Sequence, residues 1–209
     1  NEDALSKTLL LVEENMFGSG IANYRKETSE KYVSSVFQGM YRKEIFDKIG
    51  LLDEQVGRVE DNELHYRIRK NGYKIRYSND ILSYQYTRPT VKRMLKQKYS
   101  NGYWIGKVSH VYPKAFSIFH FVPFVFVLGI IFSLLMLPLT KIFAILIGVS
   151  YALFTVLVTI MTIITNKFNT TLLLIPFLLF LVHFSYGWGT LVGLIKGFGW
   201  KKEYYSTNE

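Results

Sequence analysis

The sequence has 209 residues, 49% of them hydrophobic and 16% aromatic, and a formal net charge of +9. It contains no cysteine, which excludes disulfides and thiolate metal sites. From Ile81 to Lys202 there is no Asp or Glu, and most Lys and Arg of that stretch flank a long apolar block. Such juxtamembrane cations attract anionic lipid headgroups and argue against a nucleic-acid partner.

The opening Asn1-Glu2-Asp3 is acidic where a signal peptide needs a positive start, so none is expected here. Residues 3–15 place Leu5, Leu9 and Val12 on one side and read as an amphipathic helix, ended by Phe17-Gly18-Ser19-Gly20. The abrupt helical start, without an initiator methionine, raises the expectation of a fragment. Val33 to Phe37 is a β-branched and aromatic run, a strand candidate. A helix follows from about Arg42 to Lys48, with Ile45, Phe46 and Ile49 inward and Gly50 as its stop. Glu60 to Asn71 is the next, with Leu64 and Ile68 inside and Gly72 as a C-terminal cap. Lys74 to Tyr77 and Leu82 to Tyr86 pattern as strands around the Ser78-Asn79-Asp80 turn.

After Pro89, a basic amphipathic helix is expected from Thr90 to about Val108. Val91, Met94, Leu95, Tyr99 and Tyr103 share a face there, and the rings of Tyr99, Tyr103, Trp104 and Tyr112 suit headgroup depth. Three apolar stretches follow, about Phe116–Leu137, Ile142–Thr165 and Leu172–Ile195, each reaching the roughly 20 residues that cross a bilayer. In the third, Gly189, Gly193 and Gly197 recur at a spacing that lets a neighbouring helix approach closely. Three full crossings would put the ends of this block on opposite sides, whereas Lys196, Lys201 and Lys202 argue for a cytoplasmic tail. Pro123 and His120 make the first stretch the weakest span, and the glycine-rich end of the third is a candidate to lie along the surface instead.

Of the acids, Asp61 is the candidate with chemistry. A carboxylate on the first turn of a helix is held rigidly and sees the positive helix end, which keeps it ionised and fit to act as a base. Glu60 beside it is placed to orient a substrate. Acids at helix N-termini also arise for capping alone, so the pair gains meaning only from its surroundings. None of His65, His110, His120 and His183 has metal-ligand spacing; His65 reads as a helix-surface residue and the others as facing neighbouring helices or the interface. Arg25, Arg42 and Arg67 read as surface ion-pair formers rather than phosphate ligands.

Those surroundings run from Phe17-Gly18-Ser19-Gly20 through Arg25, Tyr32-Val33, Gly39 to Phe46, Ile49 to Glu54, Glu60-Asp61, Glu63-Leu64, Tyr66-Arg67 and Gly72 to Ile75. They continue through Arg88, Leu95, Gln97 and Gly102-Tyr103-Trp104 to Tyr186-Gly187-Trp188-Gly189. In order and spacing they closely resemble the family 2 glycosyltransferases, above all the membrane-bound bacterial members that build exopolysaccharide and capsule. The resemblance implies the second half of an α/β GT-A fold followed by an all-α transmembrane region. Divided on that basis, residues 1–88 form the GT-A part, 89–114 an interfacial segment, 115–197 about three transmembrane helices and 198–209 a polar tail.

It further implies an inverting transfer of sugar from a nucleotide-sugar donor to a lipid-linked or growing glycan acceptor. The setting would be a multi-pass cell-membrane protein with its catalytic part cytoplasmic. Asp61 maps to the general base, and Glu60, Gly39, Arg88 and Gln85 to substrate-binding positions. Pro89 stands where processive relatives have tryptophan, which puts the role of Gln85 in doubt. The family's Asp-x-Asp motif for a divalent metal, Mg or Mn, is missing from the sequence, so its ligands are expected mostly outside this chain, and the chain alone is expected to be inactive. Two other readings were weighed: a non-catalytic membrane scaffold, which has no need of the Glu60-Asp61 constellation, and a transporter, which the scarcity of intramembrane ionisable groups disfavours.

Overall fold

A computed structural model describes residues 4–15, 32–81 and 88–207. Helix α1 (Ala4–Glu14) buries Leu9 and Val12, the positions its spacing turns to one face. Strand structure among the described residues is limited to one antiparallel pair, β1 (Tyr32–Val33) with β2 (Ile75–Arg76), registered Tyr32 to Arg76 and Val33 to Ile75. The run expected to extend to Phe37 bends after Val33, and Gln38 takes a positive φ. The Leu82–Tyr86 strand and Gln85 lie outside the described residues. Helices α2 (Lys43–Ile49) and α3 (Glu60–Lys70) fall where the sequence puts them, and Gly50 and Gly72 behind them adopt φ values of 81° and 80°. Their apolar faces meet in a small core of Leu64, Ile68 and Ile75, packed against Val33, Ile45, Phe46 and Tyr73.

Helix α4 (Val91–Val108) starts at Thr90, whose side chain accepts the Arg93 backbone N–H, and buries Met94, Ile105 and Val108. Short 3-10 turns at Pro113–Ala115 and Ile118–Phe121 lead into α5 (Val122–Met136), then α6 (Ile142–Thr165) and α7 (Ile175–Thr207). Among the described residues, three segments are long and apolar enough to cross a membrane: Ile118–Met136, Ile142–Thr165 and Thr170–Thr207. The last continues as helix through the residues expected to form a polar tail.

Glycines hold α4 against α7. A Cβ on Gly102 would lie 2.0 Å from the Tyr186 carbonyl oxygen and one on Gly106 2.4 Å from that of Thr190. Reciprocally, one on Gly189 would lie 2.2 Å from the Tyr99 oxygen and one on Gly193 2.0 Å from that of Tyr103. Only glycine permits such backbone contact. Contacts ascend together along both helices, from Leu95 with Ser185 to His110 with Leu194 and Gly197, so the two run parallel. The glycine repeat therefore serves packing, against α4. His110 and His183 face neighbouring helices as expected, bonding the Leu194 carbonyl and the Tyr151 hydroxyl.

Candidate active site

Asp61 lies in the first turn of α3, and the entry to that turn is unusual. Val59, the residue before the helix, sits in the left-handed region with φ 67° and ψ 20°. A β-branched residue there costs on the order of 1–3 kcal/mol and persists only when its surroundings impose it. Those surroundings are α4 and the end of α7. Arg58 donates from Nε to Asn101 Oδ1 at 2.5 Å, and the Trp104 ring covers Gly57 so closely that a Cβ would meet it at 2.7 Å. Asp53 Oδ1 accepts the Gln55 backbone N–H at 3.0 Å, while Oδ2 accepts the hydroxyls of Tyr204 at 2.6 Å and Tyr112 at 3.2 Å. The last turn of α7 thus grips the loop that delivers Asp61. A cleft of about 490 Å³ opens beside this junction, lined by Leu51, Glu54, Arg67, Tyr112 and Thr207 among others.

Arg67 locks α3 to α2. Its guanidinium donates to both oxygens of Glu63, at 2.5 and 2.8 Å, and to the carbonyls of Ile49, Gly50 and Leu51. Glu63 is fully buried. The three carbonyl bonds fix the C-terminal end of α2 and the Glu63 pair, within α3, holds the guanidinium in place, so Arg67 is committed to structure rather than to the surface ion pair expected of it.

His65 corrects the sequence reading more sharply. It is fully buried, with Nδ1 2.9 Å from Ser35 Oγ and Nε2 2.8 Å from the Tyr41 hydroxyl. Burial, reinforced by the Arg69 charge, pushes it down to about 4, so the ring is neutral at physiological pH. Burial and then the Asp61 charge push the Tyr41 phenol up to about 12, which couples it to the acid. Gly39 lies over that phenol: a Cβ there would come 2.8 Å from the hydroxyl. Gly39, Tyr41, His65 and Asp61 therefore belong to one neighbourhood, of which the sequence reading gave a site role only to Gly39 and Asp61. The signal for His65 was available, since it follows Asp61 by four residues and so shares its face of the helix.

The Asp61 carboxyl is raised above its ordinary value, first by burial and second by the charge of Glu60. This reverses the expectation that the helix end alone sets its ionisation, and it makes the carboxylate a stronger base. Glu60 is adjacent and exposed. Arg88 is exposed and donates to Gln97 Oε1 at 3.1 Å, away from the Tyr41–His65 group. For a divalent metal the fit is poor: among the described residues no three His, Asp or Glu side chains converge to hold an ion.

Residues 33–192 match the family described as glycosyl transferase family group 2. The chain belongs to that family. A curated family-type relative from Methanococcus voltae is dolichyl N-acetyl-alpha-D-glucosaminyl phosphate 3-beta-D-2,3-diacetamido-2,3-dideoxy-beta-D-glucuronosyltransferase. It is 30% identical over 167 residues, covering 79% of this chain and 49% of the relative. The chain therefore spans about half the length of the curated relative it matches. No solved structure matches it.

Proposed function

We propose that this chain carries the base-bearing part of an inverting glycosyltransferase on the α/β GT-A plan. It would transfer sugar from a nucleotide-sugar donor to a lipid-linked or growing glycan acceptor at the cell membrane. The observation that carries this reading is Asp61: a partly buried carboxylate, raised in basicity, at the mouth of a helix whose entry is strained and clamped from two sides. In the proposed step Asp61 removes the proton from an acceptor hydroxyl as its oxygen attacks the anomeric carbon. The bond to the nucleoside diphosphate breaks with its electron pair leaving on phosphate, and configuration inverts.

Glu60 would orient the acceptor, and its charge keeps Asp61 basic. A substrate-binding role for Gly39 rests on the family resemblance, since the space its missing side chain leaves is filled by Tyr41 and Val36. Roles for Arg88 and Gln85 near the diphosphate rest on the family resemblance alone. Mg or Mn, where bound, would neutralise charge on the diphosphate; no step here is routed through it, because the described residues offer no donor set. The relative's name specifies a dolichyl-linked sugar phosphate and a glucuronosyl-type transfer, which supports a lipid-linked acceptor. The polysaccharide setting follows from resemblance to bacterial exopolysaccharide and capsule enzymes.

The test uses the protein expressed from its natural gene in membranes, with a panel of nucleotide sugars, divalent metal and lipid extract. Asp61→Asn is expected to reduce transfer by about 10² to 10⁴-fold with folding unchanged. Transfer that survives the substitution moves the base elsewhere. No transfer from any donor by the unaltered protein favours a non-catalytic scaffold.

A further inference from the structure

The third candidate span, Thr170–Thr207, is the longest of the three, yet both of its ends are tied to parts of the chain that precede the apolar block. In the 3-10 turn Thr170–Leu174 that leads into α7, the Thr171 hydroxyl donates to the Ala4 carbonyl at 3.1 Å and lies 2.7 Å from the Thr8 hydroxyl, both in α1. Leu172, Ile175, Leu178, Leu179 and Val182 then share a core with Leu9 and Val12 of α1 and Met94 of α4. Further along, Gly189 and Gly193 seat against the α4 backbone, and at its end Tyr204 donates to Asp53. Those partners in α1, α4 and the Asp53 loop precede the first apolar stretch; the same core also takes in Val158 of α6. The sequence between residues 4 and 112 contains no run near the 20 apolar residues a crossing needs. Both ends of α7 are therefore tied to the side of Asp61, while its middle packs on α5 and α6, Gly187 against the Pro123 carbonyl and His183 on the Tyr151 hydroxyl. The helix has 33 residues, about 50 Å, so a span of about 30 Å of hydrocarbon would have separated its ends.

The surface of α7 agrees. Large apolar side chains stay exposed along one face, from Leu173 and Phe177 through Phe184 and Trp188 to Ile195 and Phe198. These positions fall within a narrow arc at 3.6 residues per turn, and the buried positions lie opposite. The covering helix carries exposed Lys92, Arg93 and Lys96, side chains that α7, as a spanning helix, would drag into hydrocarbon. Of the most apolar windows, 39% is buried within the protein for the α7 segment, against 11% and 17% for those of α5 and α6. The latter two are the lipid-surrounded pair.

We infer that α7 lies in the plane of the membrane interface, its Leu173–Phe198 stripe against lipid and its opposite face under α1 and α4, and that α5 and α6 alone cross. The membrane is then entered by a two-helix hairpin, with the 137–141 turn on the far side. Lys167, Lys196, Lys201 and Lys202 all stay on the side of Asp61, as the positive-inside rule asks of the cytoplasmic face. The inference stands whether or not Asp61 is the base.

The chain has no cysteine, so single replacements report directly. Glu54→Cys, Lys141→Cys, Lys167→Cys and Ser206→Cys are made in the full chain and exposed to a membrane-impermeant maleimide in sealed vesicles, with detergent-treated samples defining complete reaction. With Glu54→Cys marking the Asp61 side, Lys167→Cys and Ser206→Cys are expected to react from that side and Lys141→Cys from the other. Ser206→Cys reacting opposite to Glu54→Cys means three crossings and overturns the inference. Lys167→Cys reacting opposite means an α6–α7 hairpin and also overturns it. A second readout needs no accessible tail: nitroxides at positions 177, 184 and 195 are expected at one shallow depth. Depths stepped across about 27 Å, the helical rise over those 18 residues, would overturn the in-plane placement.

Discussion

Replacing Gly193 with alanine is expected to pry α4 from α7. The new methyl would lie 2.0 Å from the Tyr103 carbonyl oxygen, with the Lys107 backbone nitrogen 3.0 Å away. Carbon and carbonyl oxygen settle at about 3.4 Å, so the backbones must separate by roughly 1.4 Å. No rotamer relieves the clash, because the opposing atoms are main chain. The reciprocal contacts of Gly102, Gly106 and Gly189 would loosen with it. Overpacking of this kind costs about 1–3 kcal/mol, whereas the gain in helix propensity from Gly to Ala is at most about 1 kcal/mol.

Gly148, in α6, gives the control, since nothing lies within 4 Å of its would-be Cβ. There only the propensity gain acts. In detergent-solubilised protein followed by far-ultraviolet circular dichroism, Gly193→Ala is expected to lower the melting temperature by about 2–4 °C per kcal/mol lost, and Gly148→Ala to hold or raise it. A Gly193→Ala protein as stable as the unaltered chain would refute the view that backbone contact holds α4 to α7.

Arg67→Ala strips the buried Glu63 of the guanidinium that serves both its oxygens, and is expected to cost about 3–5 kcal/mol in denaturant unfolding; Arg67→Lys should recover only part, since one ammonium cannot serve both the carboxylate and three carbonyls. A loss of less than about 1 kcal/mol for the alanine variant would show that the Arg67 bonds do not hold α3 to the end of α2. His65 makes the fold acid-sensitive. Its folded value, about 4, lies below the ordinary 6.5, so the unfolded chain binds the extra proton and stability falls as pH drops from about 6.5 to about 4, by at most about 3 kcal/mol. The raised Asp61 carboxyl acts in the opposite sense, gaining stability as it protonates. Comparison with His65→Gln isolates the histidine: the variant's melting temperature should lose most of its slope across that window, and an unchanged slope would refute the assignment.

Local signals were legible in the chain itself. Helices α2 and α3 end where Gly50 and Gly72 allow the left-handed turn, α4 begins at the Thr90 cap, and the apolar block breaks at the turns around 137–141 and 166–169. These follow from spacing and backbone freedom, which neighbours in sequence decide. The acidic pair at the opening of α3 was legible for the same reason. What the sequence by itself could not determine was the company each residue keeps. His65 looks like any polar residue on a charged helix until Ser35 and Tyr41 close over it, and Arg67 looks exposed until the carbonyls of Ile49, Gly50 and Leu51, at and just past the end of α2, turn toward it. Hydropathy marked α7 as a span because it registers apolar content and not which neighbour covers it. Only tertiary contacts, Thr171 with α1, paired glycines with α4 and Tyr204 with Asp53, set that helix beside the loop that holds Asp61. Long-range bonds between residues as far apart as 53 and 204 carry no local sequence signal, so the placement of the site was decided in three dimensions.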